Sequence, residues 1–496
     1  MKILGCNISQ WIAPAAIASG LCLFGQSPAQ ALKFNLSYDE GTSYYEMMGF
    51  EMAAGVWSSY LSDDVTVNLH VGTSAYLPDK VVGGALPAMY SFQNYGTYTS
   101  KLQADALGHS QDDAKVVFGG GLQSYRQNGK QAFRGRLEGN SYYSTKMSLT
   151  RANAKAVGMI DAHDSGLDGV IMLNDLKRSR YRWNQDFDRT AGIGNTALDF
   201  LGVAVHEIGH ALGFVSALDT VKKSDHQTNN AEDTRRIQRS TPLDLLRRSP
   251  VTSRWGRVEL RPGYKDAYLT FDGGQSKVAD FARGARNVGS GSDGYQTSHW
   301  KHQNSGALGI MGPAIRLGER RNVAALDLRA MDAIGWDLAV LDPSTGQYNS
   351  NMTSENLNIS APNLRKLQNQ AEYRMAQKLG ISVSKLRSQR GHWARQLDTQ
   401  NTDALADMLS QTDEYYQLLE LDYGGWWQEL LELGYGGWWQ EYLTSGDYMQ
   451  QAFYSTLEEP DAPEPVDVPE PTSVLSLLGV AVLGYLVRSR HRDATV

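Results

Sequence analysis

His206-Glu207-Ile208-Gly209-His210-Ala211-Leu212-Gly213 is the stretch on which the reading of this chain turns. Histidines four residues apart lie one above the other on a helix, so two neutral imidazoles can grip one ion. Glu207 stands about 100° around the helix from His206. It can therefore reach a water at that ion without being a ligand, and act as general base and then acid. The flanks suit a helix: Asn195 or Thr196 is a good N-cap, and Leu198, Leu201, Val205, Ile208 and Leu212 follow at helical spacing up to Gly213. With 10 histidines in 496 residues, chance produces such a motif on the order of once in a hundred chains. Gly209 and Gly213 cost roughly 1 kcal/mol each in a helix, which points to close packing at the first and a forced turn at the second. The alternative is a pair of core histidines satisfied by hydrogen bonds.

A catalytic zinc needs a third protein donor and one open position. The longer pattern His206-Glu-x-x-His210-x-x-Gly213 resembles the metzincin clan of zinc metalloproteases, whose third histidine usually follows three residues after the glycine. Here Ser216 holds that place, and it is a poor zinc ligand. Further on stand Ser298-His299-Trp300-Lys301, then Gly309-Ile310-Met311-Gly312-Pro313, then a helix running from Ala324 to Ile334 and stopped by Gly335. That layout is similar to leishmanolysin-like metzincins, which carry a long insertion, a distant histidine in a Ser-His-Trp setting, and a methionine turn beneath the metal. The resemblance spans Asn195 to Trp336. It takes in Thr241-Pro-Leu-Asp-Leu245, read as a packed turn and strand, and Phe271-Asp-Gly-Gly274, read as a tight turn.

The resemblance implies His206, His210 and His299 as ligands of Zn²⁺, Glu207 as the catalytic residue, and Met311 as the Met-turn residue. It further implies an α+β zincin (metzincin-like) catalytic domain with a mixed twisted sheet and an active-site helix; a mainly helical C-terminal region is expected to follow, from its own composition. The activity implied is hydrolysis of peptide bonds in a protein or peptide substrate by a Glu-activated water. Asp219, His302 and His226 stand as alternative third donors. His70, His109, His163 and His392 have no motif around them. The strand Gly169–Leu173 precedes the active-site helix, as the substrate-pairing edge strand does in zincins; a plain central strand is the competing reading.

Working outward, Met48, Met52, Val56 and Tyr60 recur at helical spacing within Tyr44–Leu61, and Val65, Val67, Leu69 and Val71 alternate as in a half-buried strand. The segment from Ala217 to Ser298 is polar and loop-rich. A hydrophobic content of 41%, 20% charged residues and a net charge of −7 describe a globular chain and argue against a nucleic-acid partner. Residues 1–31 read as a signal peptide, from Lys2 through the apolar run Trp11–Phe24 to Ala29-Gln30-Ala31. Cys6 and Cys22, the only cysteines, lie inside it, so a cysteine-based zinc site or nucleophile is excluded from the mature chain.

The expected organisation continues with catalytic subdomains at 32–216 and 217–345, and a helical accessory region at 346–457. In the latter, Tyr423-Gly-Gly-Trp-Trp-Gln-Glu429 recurs as Tyr435–Glu441. Residues 458–496 read as an acidic, proline-rich linker and a tail. That tail places Pro469-Glu470-Pro471 before an apolar run, Thr472–Val487, and a basic cluster at Arg488, Arg490 and Arg492. It resembles the PEP-CTERM sorting signal, which implies export, an exosortase-type processing partner and a place at the cell envelope; a permanent transmembrane helix is the alternative. A surface-displayed, inactive protease-fold binding protein and a zinc hydrolase of non-peptide bonds are the competing functions.

Overall fold

The computed structural model describes residues 32–38, 42–74, 81–107, 112–137, 140–177, 179–220, 237–261, 263–264, 266–284, 291–303, 306–339 and 363–390, and the backbone of 453–458. The leader, His109, His226, His392, the Trp repeat and the C-terminal tail lie outside these residues.

One mixed sheet organises the chain. Its strands are β1 (Lys33–Tyr38), β2 (Thr66–Ser74), β3 (Val81–Pro87), β4 (Gly169–Asn174), β5 (Ala314–Arg316) and β6 (Phe453–Glu458), ordered β1-β2-β4-β3-β6-β5. β1, β2 and β4 pair in parallel, β3 runs antiparallel to both its neighbours, β4 and β6, and β6 pairs in parallel with β5. β4 is therefore central, so of the two readings of Gly169–Leu173 the plain central strand holds and the substrate-pairing edge does not. Its Ile171 and Leu173 are buried on one face, while Val170 and Met172 on the other are half-buried. β3 carries Gly83 and Gly84, which weaken a strand unless something approaches closely.

Something does. Helix α1 (Tyr44–Tyr60) opens with a capping box between Ser43 and Glu46, and α2 (Phe200–Ala211) packs between it and β3. Phe50 and Phe200 meet edge to face at 5.3 Å, and Trp57 Nε1 donates to the Val205 carbonyl at 2.8 Å. A Cβ on Gly83 would stand 2.9 Å from Val203 and 2.8 Å from Glu207 Oε1, so only glycine lets α2 lie this close to the sheet. α2 starts later than the Asn195/Thr196 caps suggested. Ala197–Asp199 instead forms a short parallel pair with Arg182–Asn184, and Asp199, at the N-cap, accepts from Arg189 and from the Arg321 N–H.

The downstream part contains helix α3 (Ala325–Ala333) and strands of two or three residues. Thr241–Leu245 is not a turn and strand: Thr241 and Asp244 close a capping box on the single helical turn Pro242–Leu245. Beyond it, helix α4 (Leu364–Lys378) crosses α1, with Tyr44 Oη on Glu372 at 2.9 Å and Arg374 Nε on Glu51 at 2.6 Å. The C-terminal region is thus helical at α4 and Val383–Ser388 but returns to the sheet as β6.

Candidate metal centre

α2 places His206 and His210 on one face, both buried, and the chain downstream brings buried His299 against them. His206 Nε2 lies 3.1 Å from His210 Nε2 and 3.2 Å from His299 Nε2. The outer nitrogens are all held: Nδ1 of His206 by the Ile310 carbonyl at 2.7 Å, of His210 by Phe214 at 2.7 Å, and of His299 by Gln296 at 3.1 Å. A carbonyl only accepts, so each Nδ1 carries the proton and each Nε2 turns a lone pair inward. Burial holds His206 down to about 4, and burial followed by the neighbouring His206 holds His210 and His299 well below the usual histidine range. All three rings are neutral at pH 7, the state a metal ligand requires.

Three lone pairs facing one another at this distance repel unless a cation lies between them. Zinc bonded to nitrogen at about 2.0–2.1 Å in a tetrahedral shell sets its donors roughly 3.3–3.4 Å apart, close to the spacing here. Among the described residues, His206, His210 and His299 are the group of side chains able to hold a metal ion.

Local geometry explains the glycines. Gly213, at φ 123°, turns the chain so that the Phe214 carbonyl comes back beneath His210. A Cβ on Gly209 would sit 2.5 Å from Met311 Sδ, which places the buried Met311 directly under the helix turn that carries both histidines. Glu207, on the same turn, is fully buried with Oε1 against Gly83 of β3.

The other expected donors are used elsewhere. Asp219 does not join the histidines: its carboxylate accepts from Thr297 N at 2.5 Å, Thr297 Oγ1 at 2.7 Å and Ser298 N at 2.9 Å. Burial pushes it up to about 6, against the pull of those donors. His302 stacks obliquely on Tyr295 at 4.9 Å. Ser216 donates to Asp244 at 2.6 Å. Sequence reasoning missed Gly83, whose signal is a Gly-Gly pair inside an apolar run, and Asp327. The latter accepts from Trp300 Nε1, Ile310 N, Met311 N and Ala324 N at 2.7–3.2 Å, tying the His299 loop to the Met311 turn. Trp300 completes the tie, packed between Phe214 and Phe281.

Residues 467–491 match the PEP-CTERM protein-sorting motif. The chain is therefore exported and handled by an exosortase-type processing enzyme at the cell envelope. No curated protein and no solved structure matches the chain. Among the described residues no helix is long and apolar enough to cross a membrane; Thr472–Val487 lies outside them.

Proposed function

We propose that this exported protein is a zinc-dependent endopeptidase with a metzincin-like, leishmanolysin-type catalytic domain. The observation that carries the reading is the convergence of three neutral Nε2 atoms from His206, His210 and His299, each ring fixed from behind by a carbonyl. Three histidine donors match the donor number of catalytic zinc sites, whereas structural sites use four. The mixed sheet with one antiparallel strand beside the histidine helix, and the buried methionine below it, agree with the same reading.

His206, His210 and His299 would hold Zn²⁺ through Nε2. When bound, the ion supplies a Lewis acid that polarises a carbonyl and makes water acidic near neutrality. Glu207 takes a proton from the attacking water onto a carboxylate oxygen as the water oxygen bonds to the scissile carbonyl carbon. It then delivers that proton to the departing amide nitrogen, so one water is added across the C–N bond. Met311 touches no reacting atom and fixes the height of α2.

Metal analysis and a casein or quenched-peptide assay on the exported protein test this. One zinc per chain is expected, with activity lost on chelation and regained with Zn²⁺. Full turnover after the metal has been shown to be gone would sink the proposal.

A further inference from the structure

The antiparallel strand β3 has two main-chain edges. β4 takes one, and β6 takes the other, with Phe453 opposite Ala85, Tyr454 opposite Gly84 and Ser455 opposite Gly83. Gly83 is the residue packed on Glu207 Oε1, so Ser455 pairs with the very point of the sheet that touches the carboxylate. On its far side β6 pairs in parallel with β5, which begins three residues after Met311. A main chain lying between β3 and β5 therefore runs between the strand that backs Glu207 and the strand that leaves the methionine turn. No second peptide can use this edge of β3 while β6 is there.

We infer that the slot between β3 and β5 is the groove in which an extended peptide binds by strand addition, and that β6 is its resident occupant, a segment of the chain closing its own groove. The inference rests on the endopeptidase reading for what the groove does, and on the strand pairing alone for what fills it. The ladder is suited to release. Its register shifts between Ser455 and Thr456, leaving an irregularity beside Gly83 where an unbroken ladder would hold more firmly. The occupant also sits next to the sorting signal: Glu458 is nine positions (467 − 458) before the matched motif begins. Handling of the tail thus acts on a strand only a short linker away.

The test uses the full chain with Cys6→Ser and Cys22→Ser, in two forms. Ser455→Pro removes a ladder N–H from β6. Ala85→Cys with Phe453→Cys joins register partners, so oxidation locks β6 in place. Binding of a fluorescein-labelled peptide with the sequence Gln451–Pro460 is read by anisotropy in a Glu207→Gln background, and turnover of a quenched peptide is read without that change. Apparent affinity scales with the fraction of chains whose groove is open, so Ser455→Pro is expected to bind the peptide roughly tenfold or more tightly than the parent. Turnover should rise with it. The oxidised lock should bind and cleave nothing until reductant is added.

Equal binding and cleavage by the oxidised and reduced lock would overturn the inference, and this arm decides if Ser455→Pro does not fold. If the lock controls peptide binding but no form cleaves, the groove stands and the endopeptidase reading falls. If every form cleaves alike, the endopeptidase reading stands and the resident strand falls.

Discussion

The two halves of the histidine cluster are held by different physics. His206 and His210 ride on α2, a regular helix buried on every side among Trp57, Phe50 and β3, where apolar packing does the positioning. His299 and Met311 sit on loops joined by strands of two or three residues, and there buried carboxylates do the work. Asp219 gathers Thr297 and Ser298; Asp327 gathers Trp300, Ile310, Met311 and Ala324. Hydrogen bonds to a charged acceptor contribute about 1.5–3 kcal/mol each, enough for a few carboxylates to replace a regular framework. A ligand can be placed by a helix that needs little from its loops, or by loops that need a buried anion at each end.

The largest effect should come from the helix half. Glu207→Gln should cut turnover by roughly three decades or more and leave zinc content unchanged, which metal analysis beside the peptidase assay will show. Wild-type rates in that variant would remove Glu207 from the mechanism.

Ligand loss should then treat the halves alike. With only three protein donors, loss of one should weaken zinc binding by orders of magnitude, roughly a thousandfold, for His210→Ala and His299→Ala equally. Zinc retained by His299→Ala alone, in a competitive chelator titration, would break the cluster into two unrelated parts.

The pins separate the halves. Asp219→Asn and Asp327→Asn should leave zinc bound but roughly 10–100-fold more weakly, the usual scale for groups that orient a ligand. In an Asp219→Asn/His299→Ala double variant the Asp219 change should add nothing further to zinc loss, because it acts through His299. Additive losses would mean that Asp219 supports the helix half as well.

The smallest effect is a control away from the cluster. Burial, then the charges of Asp337 and Asp113, push Asp105 up to about 8. The fold thus favours its protonated form, while the unfolded chain ionises near the ordinary carboxylate value. Stability attributable to Asp105 should fall as pH rises from about 4 to about 8 and level off above. Asp105→Asn should flatten that decline by a few degrees in melting temperature, about what a kcal/mol or two produces, with zinc affinity unmoved. An unchanged pH profile of melting would deny Asp105 this role.

What could be read from the residues follows the same division. α1, β2 and α2 show in periodicity, β4 in a short apolar run and α3 in its stop at Gly335, because regular elements carry their packing in their spacing. The start of α2 was misplaced because Asp199, bonded by Arg189 and Arg321, sets the entry to the helix, and neither arginine is local. β3 was missed because Gly83 and Gly84 lower strand propensity for the sake of α2. Whether β4 is an edge or a central strand stayed open in the sequence, because its antiparallel neighbour β3 carries no readable strand pattern. The tasks of Asp219 and Asp327 depend on partners 78 and 17 residues distant, and no local pattern records them.

The contact between Gly209 and Met311 has a chemical consequence. Met311 Sδ lies where even a methyl group on Gly209 would not fit. Oxidation to the sulfoxide would add an oxygen to that sulfur and turn an apolar side chain polar, which this interface has no room to accept without lifting α2 off the loop. Export carries the chain beyond the thiol pools that keep the cytosol reducing. The complete burial of Met311 then acts as a shield: peroxide reaches the sulfur only when the carboxylate-pinned loops open, so loosening Asp327 also sets how long the centre survives an oxidant.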